Sequence, residues 1–336
     1  MGCTIIAADW MERRLWILEN GVEKLTPLGR AGHGPGEFRH VRALAVAPDS
    51  LITALDWGRR RLIQYRWDGT LVADVALKGG VQNHAPMGPL RALPDGRFAD
   101  YWLADHVSGW FIPTRALDTL PLVSILARDG RLTADGWGAL RRPADPEALY
   151  LRTLLQSGDL AIAGDSLFVL RNFAGLVEVY SLEDPDRTPV RQMQLLRFRE
   201  WTEPHEEGSN IEETPGGAFA RGGRVDVENS TLAFDVGPAG RLYVVSRMSS
   251  RDDRPGVPWA AELLAVYARS GEHLALFRLP TRNTRQVRVA RDGSVLLLAH
   301  PDANPRSLFH ILILPPIIDA GGGPPCKWVG TRTYNP

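Results

Sequence analysis

Trp10 and Trp57 each follow an Asp and precede a basic pair, and they head the side chains of this chain whose types could do chemistry. Flat indole rings stack on sugars, peptides and aromatic molecules. Arg42, Arg91 and Arg285 stand at or beside the starts of short apolar runs, where converging guanidinium groups would favour a carboxylate or a phosphate. They could equally pair with Asp9, Asp56 or Asp235. His106 and His300 would add hydrogen-bonding imidazoles and Asn172 an amide. All of this is the chemistry of recognition. Covalent chemistry lacks its usual signatures, because the chain has no Gly-x-Ser-x-Gly elbow, no Walker loop and no His-Glu-x-x-His.

Metal chemistry has weak footing. The segment from Glu200 to Glu213 carries six Glu, an oxygen density that calcium would accept, but without the fixed spacing of an ion-binding loop. A solvated acidic loop explains it as well. His300-Pro301-Asp302-Ala303-Asn304 reads as a Pro-containing turn whose Asp and Asn cap backbone amides. The two cysteines, Cys3 and Cys326, are too few for a metal cage. They stand at opposite ends of the chain, as two free thiols or as a disulfide if the ends meet.

What must position these residues is a repeat. Ile6-Ala7-Ala8-Asp9-Trp10-Met11-Glu12-Arg13-Arg14-Leu15 returns 47 residues later as Ala54-Leu55-Asp56-Trp57-Gly58-Arg59-Arg60-Arg61-Leu62. Each copy is an apolar run, an Asp-Trp turn, a basic pair and another apolar run. A period in the forties points to a radial array of small sheets, since one such sheet cannot bury its own faces. Turn-then-strand signals begin near Thr4, Leu51, Arg97, Ser166, Arg241 and Ser294. Apolar runs at Ala43 to Ala47, Leu90 to Leu93, Asp159 to Ala163, Thr231 to Val236 and Gln286 to Ala290 read as the innermost strands before them. A second repeat, Asp68-Gly69-Thr70-Leu71 against Asp129-Gly130-Arg131-Leu132, with Ser270-Gly271-Glu272-His273 as a weaker copy, reads as the hairpin between third and outermost strands. The stretches Ala104 to Leu120, Glu200 to Gly223 and Ser249 to Pro258 are left as long loops.

Composition narrows the class. The chain has 336 residues, 44% hydrophobic and 23% charged, which suits one large repeat domain spanning residues 1–336. Formal net charge is zero, so no long-range attraction to nucleic acid or anionic membrane is expected. Of the 39 basic residues 36 are Arg, a bias that genomic base composition explains. No apolar run is long enough to span a membrane. No charged segment followed by an apolar stretch opens the chain, so no signal peptide is expected. Gly2-Cys3 is nevertheless the kind of pair that ends bacterial lipoprotein signals, which leaves a periplasmic or extracellular location open should a segment precede.

Gly32-His33-Gly34-Pro35-Gly36-Glu37-Phe38, followed by Leu44-Ala45-Val46 and then Asp56, Arg61 and Leu62, resembles the NHL repeat of six-bladed β-propellers. Asp9, Arg14 and Leu15 match the second half of that pattern. The resemblance covers about residues 5 to 78. Val41 stands where the family prefers Pro, Ala43 where it prefers Gly, and Arg59 and Glu12 where it prefers Asn. The resemblance implies an all-β, six-bladed propeller of four-stranded antiparallel blades. The first blade starts at its second strand, so Lys327 to Thr331 is expected to supply its inner strand beside Thr4 to Ala8 and close the ring. In that scheme His33, His40, His84, His106, His205 and His300 share one loop face with Trp10, Trp57, Trp110, Trp201 and Trp259. Trp after Asp could also simply fill the gap between blades.

The functional expectation is a monomeric, non-catalytic binding propeller. Its partner would be a protein, a glycan or a small anionic or aromatic ligand, held on the face bearing Trp10, Trp57, Arg42, Arg91, His106, Asn172, Arg285 and His300. No cofactor is expected. The alternative, implied by lactonase-like propellers, is a calcium-dependent hydrolase, lactonase or lyase. Its ion would sit on the channel axis among Asn172, Asp226, Glu228 and Asn229.

Overall fold

The computed structural model describes residues 4–9, 12–19, 25–78, 89–101, 110–112, 121–139, 158–171, 175–184, 187–195, 205–207, 210–214, 217–221, 224–226, 229–248, 261–279, 284–290, 292–299, 310–314 and 330–333. Two compact units account for the chain. One comprises Met1–Gly158, Asp184–Thr188 and Gly208–Gly223, the other Asp159–Glu183, Pro189–Glu207 and Arg224–Pro336. Among the described residues no helix is long and apolar enough to cross a membrane.

Three consecutive sheets build the first unit. The first sheet is Thr4–Asp9, Arg14–Glu19 and Leu25–Leu28. The second is Val41–Val46, Ile52–Asp56, Arg61–Tyr65 and Leu71–Ala76. The third is Leu90–Ala92, Phe98–Tyr101, Pro121–Leu126 and Leu132–Ala139. The second unit repeats the plan. Its fourth sheet is Gly158–Ala163, Ser166–Arg171, Leu176–Ser181 and Pro189–Gln194. The fifth is Asn229–Val236, Leu242–Met248, Ala261–Tyr267 and His273–Arg278. The sixth is Thr284–Val289, Val295–Ala299, His310–Leu314 and Gly330–Thr333.

Every one of these sheets is an antiparallel meander with strands in chain order, the topology of a propeller blade. Strands start within one residue of all six expected places, five of them as the second strand of their sheet and Thr4–Asp9 as the first described strand of its own. The apolar residues pack between consecutive sheets. Leu15, Ile17, Phe38, Ile52 and Ile63 fill the space between the first and second sheets, and Leu55, Leu62, Leu90, Phe98 and Leu126 that between the second and third. Phe168, Val179, Phe234 and Val244 join the fourth to the fifth, and Val245, Leu264, Val287 and Leu297 the fifth to the sixth. The chain is an all-β protein of the β-propeller type.

Three expectations are corrected. Five four-stranded blades stand among the described residues where six were expected, and the first sheet has only three strands there. The C-terminal strand does not complete it. Gly330–Thr333 instead pairs as the outermost strand of the sixth sheet, with Ile311 opposite Arg332 and Leu312 opposite Thr331. The sixth sheet would otherwise stop at three strands. Thr-Arg-Thr also suits a solvent-side edge better than an inner strand packed on both faces. The stretches expected to be long loops also contain strands. Trp110–Ile112 pairs with Gly217–Arg221, which pairs with Asn210–Thr214, and His205–Glu207 pairs with Arg224–Asp226. The stretch 249–258 lies outside the described residues, as do Cys3 and Cys326.

The turns follow one recipe. In the hairpin after Tyr65 the Gly69 N–H donates to Arg66 O at 3.1 Å, Arg66 N–H donates to Thr70 O at 2.9 Å, and Thr70 N–H donates to Asp68 Oδ1 at 2.9 Å. The same three bonds recur around Gly130 with Asp129. Gly69 and Gly130 hold φ values of 88° and 81°, which an L side chain adopts only with strain. Gly130 is further constrained, because a Cβ there would stand 2.2 Å from the carbonyl oxygen of Ala76 in the neighbouring sheet. Gly164, with φ of 62°, has open space around it. Gly130→Ala is therefore expected to cost more than about 2 kcal/mol, and Gly164→Ala only about 1 kcal/mol from backbone strain alone. Urea unfolding of the two variants checks this, and equal losses would contradict it.

Candidate functional site

The Asp-Trp turn of the second sheet is built from the inside outward. Asp56 ends the second strand, is fully buried and lies opposite Val41 on one side and Arg61 on the other. Its Oδ2 accepts the Arg39 N–H at 2.8 Å and its Oδ1 the His40 N–H at 2.9 Å. The Trp57 N–H then donates to the His40 carbonyl at 2.9 Å. A buried carboxylate is stable only when its lone pairs are occupied, and here two backbone amides of the approaching inner strand supply them. Asp56 is therefore a clamp that holds the lead of one strand against the turn of another. Asp9 occupies the same place in the first sheet, closing its strand opposite Arg14 and accepting the Glu12 N–H at 2.9 Å. The repeated Asp residues are equivalent, as the sequence repeat implies.

The clamp presents Trp57 and Arg42. Trp57 begins a three-residue 3-10 turn, Trp57–Arg59, and is partly exposed. Arg42 falls at a β-bulge, where the register shifts between Val41 opposite Asp56 and Ala43 opposite Leu55. A bulge bends a strand and re-aims the side chain it carries. Arg285 takes the same position in the sixth sheet, between Thr284 opposite Ala299 and Gln286 opposite Leu298. The third Arg of the set differs. Arg91 sits in a regular ladder opposite Ala99, with its guanidinium donating to Leu90 O at 3.3 Å. The structure thus brings Trp57 and Arg42 to one end of the second sheet and sets Arg91 within the inner strand of the third. Trp10, His106, Asn172 and His300 lie outside the described residues.

The Gly-rich lead to the inner strand is held by a dense charge network. Glu37 accepts the Gly34 N–H at 2.6 Å and Arg30 Nε at 2.7 Å, and these two donors hold its carboxyl below the usual range. Arg59 donates to the carbonyls of Gly34 at 2.8 Å and Glu37 at 2.6 Å. Asp74 accepts from Gly36 N–H at 3.0 Å and pairs with Arg61. The Tyr65 hydroxyl donates to Gly36 O, and burial pushes its pKa up to about 12. These partners fix the loop.

One feature escaped sequence reasoning. Asp100, in the second strand of the third sheet, is fully buried, and neither carboxylate oxygen has a hydrogen-bond partner among the described residues. Burial pushes its pKa well above the ordinary 3.8. An acid inside Phe98-Ala99-Asp100-Tyr101, an otherwise apolar run, was the available signal. Among the described residues no group of three His, Cys, Asp or Glu could hold a metal ion. Of the four suggested calcium ligands, Asn172 and Glu228 lie outside the described residues, and Asp226 and Asn229 are placed only as strand ends.

The sequence matches no protein-family model and no curated protein. Among solved structures, a member of the DUF4221 family from Bacteroides vulgatus superposes with a TM-score of 0.51 at 10% identity, covering 87% of this chain and 82% of that one. Virginiamycin B lyase from Staphylococcus aureus gives 0.47 at 11% identity, covering 93% and 80%. A gluconolactonase from Xanthomonas campestris gives 0.48 at 15% identity, covering 89% and 79%. Likeness at this level speaks to fold and carries no activity across.

Proposed function

We propose that this chain is a non-catalytic binding module whose working surface is the end of the sheets where the second strand turns into the third. One observation supports this above the rest. The Asp56 clamp fixes the turn with three backbone hydrogen bonds, yet the residues beside it, Trp57 and Arg42, are left partly exposed. Packing alone would favour a sealed indole, whereas a rigid scaffold with an open aromatic and a re-aimed cation is how binding surfaces are commonly built. The ligand class is a small anionic or aromatic molecule or a segment of a partner carrying those groups.

Trp57→Ala and Arg42→Ala test the proposal. Each should weaken binding of an aromatic carboxylate such as indole-3-acetate by about tenfold or more, the loss typical of anchoring contacts. Their melting temperatures should stay within about 3 °C of the parent, less than 1 kcal/mol of stability. A large stability loss with unchanged binding would make both residues packing groups and sink the reading. Stoichiometric calcium retained through purification would instead favour the metal-dependent enzyme.

A further inference from the structure

The two copies of the Asp-Trp turn differ at two positions. Asp9 and Asp56 end their strands opposite Arg14 and Arg61, and Arg13 and Arg60 share a left-handed backbone, with φ of 54° and 52°. Between these common points the first turn carries Met11 and Glu12, the second Gly58 and Arg59. Glu12 lies 3.5 Å from Arg14, so the first turn supplies its own counter-charge. The second has three consecutive Arg and no acid.

Two of those three are occupied. Arg61 pairs with Asp74, and Arg59 donates to two loop carbonyls while standing 3.7 Å from Asp74. Arg60 is exposed and has no carboxylate partner among the described residues, and the same holds for Arg39. Asp56 offers neither of them a contact, because it is fully buried with amide donors on both oxygens.

Gly58 brings Arg39 into the turn. A Cβ on Gly58 would stand 3.0 Å from Arg39 Cγ and 3.1 Å from both Arg39 Cβ and His40 Cβ. The stem of Arg39 therefore rests on the Gly58 backbone, one residue from the indole of Trp57, with its base fixed by the Asp56 clamp. A side chain in that place, such as Met at the matching position of the first turn, would have to push the Arg39 stem aside. The second copy has exchanged a self-neutralised turn for one that seats the stem of an extra Arg on the residue next to Trp57.

We propose that this turn is an oxyanion site. The Arg39 guanidinium, supported by the charge of Arg60, takes a carboxylate or phosphate whose attached apolar group lies along Trp57. The planar fork of Arg suits both anions bidentately. This deepens the binding-module reading by adding Arg39 and Arg60 and naming the group they hold, and it rests on that reading for the role of Trp57.

Isothermal titration of the full chain with phenylacetate and, separately, phenyl phosphate tests it, the two arms telling the anions apart. Saturable one-site binding of at least one probe is expected. Arg39→Ala should weaken it by about tenfold or more, Arg39→Lys less, since the charge stays but the fork is lost. Gly58→Ala, which displaces Arg39 by a few tenths of an ångström, should also weaken it with little change in melting temperature. Equal affinity in the parent, Arg39→Ala and Arg60→Ala would overturn the site, as would a weak, non-saturating signal abolished by salt alone. If Trp57→Ala weakens binding while the two Arg variants do not, the oxyanion site falls and the binding surface stands. If the Arg variants alone weaken it, the oxyanion site stands and Trp57 is not part of it.

Discussion

Asp100→Asn is expected to make the protein more stable at pH 8 than the parent by on the order of 2–3 kcal/mol, with little difference near pH 4. Asp100 lies opposite Leu90 and Ser124 in its own sheet. It shares a face with Phe98, which packs against Leu55 and Leu62 of the second sheet. No charged group stands in that set, and neither carboxylate oxygen has a partner among the described residues, so none of these groups offsets the desolvation of an ionised carboxylate. The folded-state pKa is therefore raised above the ordinary 3.8. Below that value the carboxyl is neutral in both states and no stability is lost. As pH rises the unfolded chain ionises first, and stability falls by about 1.4 kcal/mol per pH unit until the folded-state pKa is passed. Carboxylates with lowered values, such as Glu37 and Asp49, act in the opposite direction, so comparing parent with variant isolates Asp100. Asn keeps the shape and removes the proton equilibrium. Urea unfolding at the two pH values gives the answer, and a parent–variant difference that does not grow with pH would show that Asp100 is solvated or paired.

That residue also marks where sequence reading stops. The repeat Asp-Trp-x-x-Arg-Arg placed Asp9 and Asp56 correctly because both the turn and its left-handed Arg are local, set within six residues. The Asp-Gly hairpins were legible for the same reason. Arg42 and Arg285 could be placed at the starts of inner strands, but not at a bulge, since a bulge is a relation between two strands and depends on how the partner is paired. The pairing of Trp110–Ile112 with Gly217–Arg221 joins segments about a hundred residues apart, and no periodicity reports such a contact. The fate of Gly330–Thr333 was a choice between two open edges with similar local appeal. Its alternation of Thr and Arg suits the outer edge. Arg39 and Gly58 were invisible as a pair because the contact between them exists only once Asp56 has drawn the strand lead onto the turn.

Arg171→Met should destabilise the protein by about 3–5 kcal/mol, more than Glu178→Gln, whereas the double change Arg171→Met with Glu178→Met should recover most of the loss. The argument starts from Glu178, which is buried in the third strand of the fourth sheet. Its Oε2 accepts from Arg171 Nε at 3.0 Å, from Arg171 Nη2 at 2.9 Å and from the Tyr180 hydroxyl at 3.1 Å, and Gln192 Nε2 donates to Oε1 at 3.2 Å. Removing Arg171 leaves a buried carboxylate with only neutral donors, so the molecule must bear its desolvation. Removing the carboxylate instead leaves the Arg171 guanidinium, whose side chain is 15% exposed and retains some access to water. Replacing both by apolar side chains removes the charge problem altogether, at the cost of the Tyr180 and Gln192 hydrogen bonds. Urea unfolding of the four proteins completes the cycle. If the double variant is as unstable as the sum of the singles, the network contributes through packing and not through paired charge.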